Sequence, residues 1–237
     1  MNKIFLIALL TTTLNYAQTL KGIITINPLR GIGDNTVLSE KNKKPKYHSY
    51  SFSKNKSIQK LISNEGTTID TIIVEHPEVD GLTMETTEIN INANKLIIYK
   101  DYINDVFRLE ASQKNRNLVT EYISIKDHIP SFNWVLQNET QTILGYTCKK
   151  ATAERIMGVR KQHITAWYTE DIPINDGPKD FNGLPGLILQ VNTNNNVLIK
   201  FEKLKFFKDT NTEIEAPKNE SELISINGYQ LQMMNKR

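Results

Sequence analysis

Apolar and polar residues alternate with a period of two over much of the chain, and clusters of Asn, Gly and Asp interrupt the alternation. A period of two places successive side chains on opposite faces of a strand, and such interruptions are typical of turns between antiparallel strands. Long helical periodicity is hard to find. The pattern therefore predicts a mainly β protein: a single domain of antiparallel hairpins that form a strongly curved sheet or open half-barrel, with little helix.

Four hairpins are predicted from this pattern. Their strand pairs are residues 88–91 with 95–99, 106–109 with 118–123, 143–154 with 161–169, and 187–191 with 197–201. Shorter strands are predicted at residues 20–26, 47–53, 69–75 and 132–137. The apolar spacing breaks after Phe201, which predicts a bulge or bend near Lys203. Residues 31–46 are rich in Gly, Asn, Lys and Pro, so we expect a surface loop there.

The first seventeen residues have the layout of a secretory signal peptide. Lys3 precedes a short apolar run, and small and polar residues lead to Ala17. The run is shorter than the roughly 20 residues that a membrane span requires. We expect residues 1–17 to be removed, which leaves no transmembrane segment. The product is then exported to the periplasm, the periphery of the outer membrane or the outside of the cell.

The remaining chain divides by composition into two parts. Residues 18–208 carry the strand patterns and form the predicted β-rich domain. Residues 209–237 begin with a polar stretch that includes Pro217, where the main sheet is expected to have ended. The end of this C-terminal extension could dock on the domain as a short element, or it could fray. Both alternatives stay open.

Charge and cysteine content narrow the classes of partner. The chain carries 29 Lys and Arg residues against 26 Asp and Glu, which is close to neutral. No basic stripe with interleaved aromatic residues is evident, so nucleic acid is not an expected partner. Cys148 is the one cysteine, which excludes a disulfide within a single chain. It lies in the apolar run 143–148, interpreted as a strand, where a buried thiol is more common than a reactive one.

The most unusual local sequence is residues 181–189, which contains Leu-Pro-Gly-Leu at residues 184–187. Pro185 fits the second position of a type II turn, and Gly186 fits the third, where φ is positive. Gly183 follows an Asn and forms a second turn dipeptide just before it. We expect Gly183, Pro185 and Gly186 to act structurally, by turning the chain sharply into the apolar strand that follows.

Three sequence blocks, residues 143–151, 165–174 and 177–188, resemble a known family. Residues 183–188 spell the hexamer GLPGLI, and the resemblance is strong over residues 134–207. On these blocks the chain resembles the GLPGLI family, also called the Porph_ging domain, which comprises exported proteins of Bacteroidetes without an established function. A distant similarity to exported half-barrel proteins of the lipoprotein-carrier type implies a fold and no activity.

Motifs for cofactor or metal chemistry are not found in the sequence. The histidines, His48, His76, His128 and His163, are scattered and no cysteine cluster accompanies them, so neither a metal nor a cofactor is expected. There is no Gly-x-Ser-x-Gly elbow and no phosphate-binding glycine loop. The motifs therefore identify no catalytic residue.

The candidate ligand or partner surface consists of Trp167, Tyr168, Asp171 and Phe181. The aromatic side chains either pack the core around the tight turns or line an apolar groove on the curved sheet. The favoured hypothesis is a non-catalytic binding or accessory protein for an apolar small molecule or an envelope protein. The alternative is an exported hydrolase without a recognisable motif, which uses Asp171, Glu170 or His163. The sequence leaves the oligomeric state open.

Overall fold

The computed structural model describes residues 19–29, 44–62, 68–75, 83–90, 95–114, 119–157, 160–208 and 212–235. The predicted signal peptide and nearly all of the predicted loop 31–46 lie outside these residues. Strands account for 61% of the structure and helix for 6%. The prediction of a mainly β, single-domain protein with a curved, open sheet is confirmed.

Fourteen strands and one helix are described. In chain order they are β1 (Thr19–Pro28), β2 (Lys46–Ser53), β3 (Lys56–Leu61), β4 (Thr68–Glu75), β5 (Thr83–Asn90), β6 (Lys95–Asp101), β7 (Val106–Lys114), β8 (Thr120–Asp127), β9 (Val135–Ile143), β10 (Tyr146–Met157), β11 (Arg160–Thr169), β12 (Leu187–Thr193), β13 (Val197–Phe207), β14 (Leu223–Ile224) and α1 (Ile226–Asn235). Twelve strands form one sheet in the order β14-β8-β7-β6-β3-β2-β1-β13-β12-β11-β10-β9. Strands β4 and β5 pair separately.

Three of the four predicted hairpins are confirmed. Strands β7 and β8, β10 and β11, and β12 and β13 pair antiparallel in the predicted combinations. The predicted irregularity near Lys203 is also confirmed: Ile23 pairs with Lys203 and Ile24 with Phe201, so Glu202 has no partner in the ladder. This is a bulge, in which one strand carries an extra residue.

The predicted hairpin of residues 88–91 with 95–99 is wrong. Strand β5 pairs with β4, whereas β6 lies between β3 and β7 in the main sheet. Strand β3 was not predicted, because Ser57 and Gln59 are polar although they are buried. An alternation of apolar and polar residues cannot identify a strand whose buried positions are polar.

The interpretation of residues 143–148 as one strand is also wrong. Strand β9 ends at Ile143 and β10 begins at Tyr146, and the two pair antiparallel. Leu144 and Gly145 between them have φ of +52° and +85°. Two successive positive φ angles define a type I′ turn, which suits a two-residue hairpin connection.

The segment between β11 and β12, residues 170–186, packs against strands from both halves of the sheet; we call it the inserted segment. Its Ile172, Phe181 and Leu184 are each 1% exposed. They belong to the main core together with Leu20 of β1 and Phe201 of β13. The inserted segment therefore supplies core that the strands of the open sheet do not supply themselves.

Described residues of the C-terminal extension lie against β8. Strand β14 pairs parallel with β8, and Ile226 and Tyr229 of α1 pack on a second cluster that contains Phe107 and Ile125. Backbone amides of residues 220 and 221 donate to the Ser124 hydroxyl. Among the described helical residues, no helix has both the length and the apolar content to cross a membrane.

Candidate functional site

The residues predicted as a ligand surface do not share one surface. Tyr168 and Phe181 are each 1% exposed and belong to the main core. Trp167 is half-buried against that core, whereas Asp171 is exposed. A ligand at the surface can therefore reach Asp171 but neither Tyr168 nor Phe181.

The residues of the hydrolase alternative are also separated. Glu170 forms an ion pair with Lys149 across 2.8 Å, and His163 pairs with Glu154 across 2.8 Å. The extended strand from His163 to Thr169 spans about 20 Å, at about 3.3 Å per residue. Because this strand lies between them, His163 cannot act on the same bond as Glu170 or Asp171.

The turn in residues 184–187 differs from a type II turn. The amide of Gly186 donates to the carbonyl of Leu184 across 2.7 Å, which is the three-residue γ-turn pattern. The amide of Leu187, which a type II turn would direct to Leu184, instead donates to the Ile172 carbonyl across 3.0 Å. The turn thus joins the two ends of the inserted segment.

Gly186 is required at this turn by contact as well as by conformation. Its φ is +145°, and a Cβ atom there would lie 2.1 Å from the carbonyl oxygen of Thr169. Gly183, with φ of +86°, instead has space around it, since the nearest atom to such a Cβ is 3.7 Å away on Trp134. Of the two glycines, only Gly186 allows a close approach of backbone to backbone.

The inserted segment carries a buried ion pair. Lys100 of β6 binds the carboxylate of Asp176, and their side chains are 2% and 0% exposed. The hydroxyls of Tyr50 and Tyr102 each donate to Asp176 across 2.7 Å. Lys100 also donates to the Gly177 carbonyl across 2.9 Å. The cluster therefore ties β2, β6 and the residue after β6 to the inserted segment.

The electrostatics of this cluster keep both tyrosines protonated. Burial, reinforced by the charge of Asp176 and the hydrogen bond to it, raises the pKa of Tyr50 well above its usual value. The same causes raise the pKa of Tyr102. Both hydroxyls consequently remain hydrogen-bond donors to Asp176. The sequence pattern does not identify these four residues, because a single Asp, Lys or Tyr in a strand or loop carries no signal that it belongs to a buried cluster.

Tyr102 also faces a groove of about 640 Å³, which we call the tyrosine groove. The groove is lined by Phe52, Asn55, Tyr102, Pro173, Ile174, Asn175, Pro185 and Gly186. The rings of Phe52 and Tyr102 lie 6.5 Å apart at 46°. The amide of Tyr102 donates to the Asn55 carbonyl across 3.0 Å, which fixes the position of one wall against the other.

The lining of the tyrosine groove combines apolar rings with uncharged polar groups. Asn55 and Asn175 are exposed, and each side-chain amide offers two donors and one acceptor oxygen. Among the residues that the structure describes, no charged side chain lines the groove. Such a surface suits a neutral ligand that has both an apolar face and hydroxyl groups.

Three of the four carboxylates in the inserted segment are held in ion pairs. Glu170 pairs with Lys149, Asp176 with Lys100, and Asp180 with Arg155. Burial opposes ionisation of Asp180, but the charges of Arg155 and Lys179 outweigh it, so the pKa of Asp180 lies below its usual value. Asp171 is exposed and has no ion pair within the described residues. It is the carboxylate of this segment that remains available to a ligand.

Two more of the sequence-based expectations concern the thiol of Cys148 and metal binding. Cys148 has no exposed surface, and burial raises the pKa of its thiol to about 11, which disfavours the reactive thiolate. Among the residues that the structure describes, no group of three His, Cys, Asp or Glu side chains is placed to hold a metal ion.

Comparison with known proteins finds a family and a fold. Residues 49–230 match the family profile described as N-glycanase peptide, N-terminal domain. A structure of PNGF-II in the C2 space group matches with a TM-score of 0.50 and 16% identity, covering 93% of this chain and 34% of that one. A structure of PNGF-II in the P21 space group has a TM-score of 0.48, 16% identity, and coverage of 88% and 31%. No curated protein matches the chain.

At this identity the first structural match is informative about the fold alone. This chain spans about a third of the length of the PNGF-II chains. The family match overturns the resemblance to the GLPGLI or Porph_ging family, which rested on short turn and strand blocks. It also overturns the expectation of a binding or accessory protein for an apolar ligand or envelope partner. Because the profile covers most of its length, the chain belongs to the family of the N-glycanase peptide, N-terminal domain.

Proposed function

We propose that this chain acts in the hydrolysis of N-linked glycans and that the tyrosine groove is its saccharide site. The observation that carries the proposal is the lining of that groove, in which Phe52 and Tyr102 stand beside the amides of Asn55 and Asn175. Membership of a family named for an N-glycanase domain supports it. The chain spans about a third of the PNGF-II chains, so the activity of a whole N-glycanase is part of the proposal.

The chemistry of a sugar ring fits the groove. A pyranose has an apolar face of C–H groups, which packs on an aromatic ring, and a rim of hydroxyls, which pairs with amides. The Tyr102 hydroxyl is held in the buried cluster by Asp176, so the part of Tyr102 that a sugar meets in the groove is its ring. Since Asp176 holds that hydroxyl, the ring of Tyr102 is oriented before the ligand arrives.

Asp171 is the residue to which we assign proton transfer. Hydrolysis of a glycan linkage requires a positioned group that gives or takes a proton, and a carboxyl group serves this purpose in many hydrolases. Asp171 is exposed, free of an ion pair among the described residues, and two positions before Pro173 of the groove. Glu170 is less suited because Lys149 holds its carboxylate.

The test is release of glycans from an N-glycosylated glycoprotein by the full chain, quantified by mass spectrometry. We expect release by the unaltered protein and a loss of about 100-fold in rate for Asp171→Asn, the scale of general acid–base catalysis. Glu215→Gln, which alters an exposed carboxylate outside the inserted segment, is the matched control and should keep full activity.

Two results would count against the proposal. If the full chain neither releases glycans nor binds a free N-glycan, the proposal is wrong. If glycans are released at equal rates by the unaltered protein and by Asp171→Asn, the tyrosine groove can remain the saccharide site, but the role assigned to Asp171 is wrong. Thermal unfolding of both variants shows whether a loss of rate reflects a loss of folded protein.

A further inference from the structure

A second groove, of about 550 Å³, lies where β1 and β13 meet the turn between β9 and β10. We call it the lysine groove. Its lining includes three lysines and two aromatic residues: Lys21, Lys203, Lys205, Tyr146 and Phe207. In contrast to the tyrosine groove, its charged side chains are all cationic.

The lysines of this groove are placed against the usual preference of a β-sheet. Lys21 lies directly opposite Lys205 in the β1–β13 ladder. Both ammonium groups approach the ring of Phe207, at 5.1 Å and 5.2 Å from its centre. Like charges directly opposite each other destabilise an antiparallel pair, and the attraction of each cation to the ring acts against this repulsion.

The described neighbours of the groove do not neutralise its positive charge. Within the described residues, neither Lys21, Lys203 nor Lys205 forms an ion pair with a carboxylate. Glu202 is adjacent in sequence, but its carboxylate accepts hydrogen bonds from Thr25 across 2.7 Å and from Lys200 across 3.1 Å. Three cations thus line one concave surface that also carries aromatic rings, which is a favourable setting for an anion.

We propose that the lysine groove binds an acidic saccharide. Its carboxylate or sulfate lies between Lys21 and Lys205, and the C–H face of the sugar packs on Phe207 or Tyr146. The three lysines indicate that the ligand is anionic. That the ligand is a saccharide rests on the proposed function. The two grooves together then distinguish a neutral part of a glycan from an acidic part.

The shape of the groove favours a discrete ligand over a lipid surface. Membrane-surface binding uses lysines that project outward together from one face, with apolar residues that enter the bilayer. Here Phe207 and Tyr146 line a recess, and two of the lysines fold over the Phe207 ring. A flat headgroup layer would not fill that recess.

The test compares a sialylated N-glycan with the same glycan after removal of its sialic acids, by titration calorimetry with the full chain. We expect the acidic glycan to bind about tenfold more tightly, as a charge-assisted contact provides. The double variant Lys21→Gln with Lys205→Gln should lose this preference and keep its affinity for the neutral glycan. Lys126→Gln, an exposed lysine on β8, is the matched control and should keep the preference.

Every other outcome overturns the inference. Each such outcome can be distinguished from a failure of the proposed function. Equal affinity for the two glycans, or a preference that survives in the double variant, overturns the acidic site while neutral binding upholds the tyrosine groove. Absence of binding to either glycan overturns both. Tighter binding to phosphatidylglycerol vesicles than to the acidic glycan, abolished in the double variant, would assign the lysines to a membrane instead.

Discussion

The hydroxyl of Tyr102 donates a hydrogen bond to Asp176 across 2.7 Å, which connects the wall of the tyrosine groove to a carboxylate with no exposed surface. Asp176 in turn binds Lys100 and accepts from Tyr50. The groove wall is therefore held by a buried network as well as by the hydrogen bond from the Tyr102 amide to the Asn55 carbonyl. This arrangement preorganises the ring of Tyr102. Variants of Asp176 test the buried network, and variants of Phe52 test the groove.

The buried ion pair gives the first prediction. Asp176→Asn leaves the ammonium of Lys100 buried without its counter-charge, so we expect the free energy of unfolding to fall by about 3 to 5 kcal/mol. Asp171→Asn, in the same segment but exposed, should change it by no more than about 0.5 kcal/mol. Urea denaturation measures both. Equal midpoints for the two variants would show that the ion pair does not stabilise the inserted segment.

A pair of glycine variants tests the close approach at Gly186. Gly186→Ala should cost about 3 kcal/mol or more, because the new methyl group meets a backbone carbonyl and φ is positive. In Gly145→Ala, φ is also positive, at +85°, but nothing lies within 4 Å, so about 1 kcal/mol is expected. The measurement is thermal unfolding of both variants. Equal losses of stability would contradict the steric explanation.

Much of the fold could be predicted from the sequence, because a strand and the turn that follows it are specified by residues close together along the chain. Two apolar runs, at residues 187–191 and 197–201, are separated by an Asn-rich turn and predict both β12 and β13 and their pairing. Strand β5 shows the limit, since its partner β4 is not the neighbour that the turn signal at residues 92–94 indicated. At residues 144–145, the positive φ of a leucine is uncommon, so the apolar run there suggested a continuous strand.

The candidate site could be predicted only in small part. Asp171 follows a strand beside the unusual turns, and it is exposed two residues before Pro173 of the groove lining. Phe52, Tyr102 and Asp176 come from three distant parts of the chain. The pairing of β2, β3 and β6 brings Phe52 to Tyr102, and the path of the inserted segment adds Asp176. Their hydrogen bonds and ring contacts depend on how the chain folds. The spacing of these residues along the sequence does not indicate such contacts.

His48 gives a prediction for pH. Burial, together with the charge of Lys179, lowers the pKa of His48 to about 4. Because this is below the usual value of about 6.5, protonation favours the unfolded chain, and stability should fall by about 2 to 3 kcal/mol as pH drops from about 6.5 to 4. The contribution is fully present above pH 6.5. Denaturation at a series of pH values measures it.

A matched pair of variants separates the pH-dependent stability due to His48 from that of other groups that titrate between pH 6.5 and 4. His48→Leu removes the titrating ring, and its ladder partners Ile24 and Leu61 provide apolar neighbours, so the loss of stability between pH 6.5 and 5 should flatten. Ile62→Ala, which removes an exposed side chain without an ionisable group, is the control and should keep the original slope. A slope that persists in His48→Leu would assign the effect to carboxylates.

The thiol of Cys148 should be inert in the folded protein. It has no exposed surface, and burial raises its pKa to about 11, so very little thiolate exists at pH 8. We expect reaction with a disulfide reagent to follow the rate of unfolding in urea. Immediate, stoichiometric reaction without denaturant would show that the core around β10 opens readily.

The most direct measurement of the central claim is the affinity of a free, neutral N-glycan for the Phe52→Ala variant, compared with the unaltered chain. The ring of Phe52 packs beside Tyr102 in the tyrosine groove, so its removal should weaken binding by about tenfold, as the loss of one stacked ring does. Ile156→Ala, which removes a side chain that is 75% exposed on β10, should leave the affinity unchanged. If Phe52→Ala binds the glycan as tightly as the unaltered chain, the tyrosine groove is not the saccharide site.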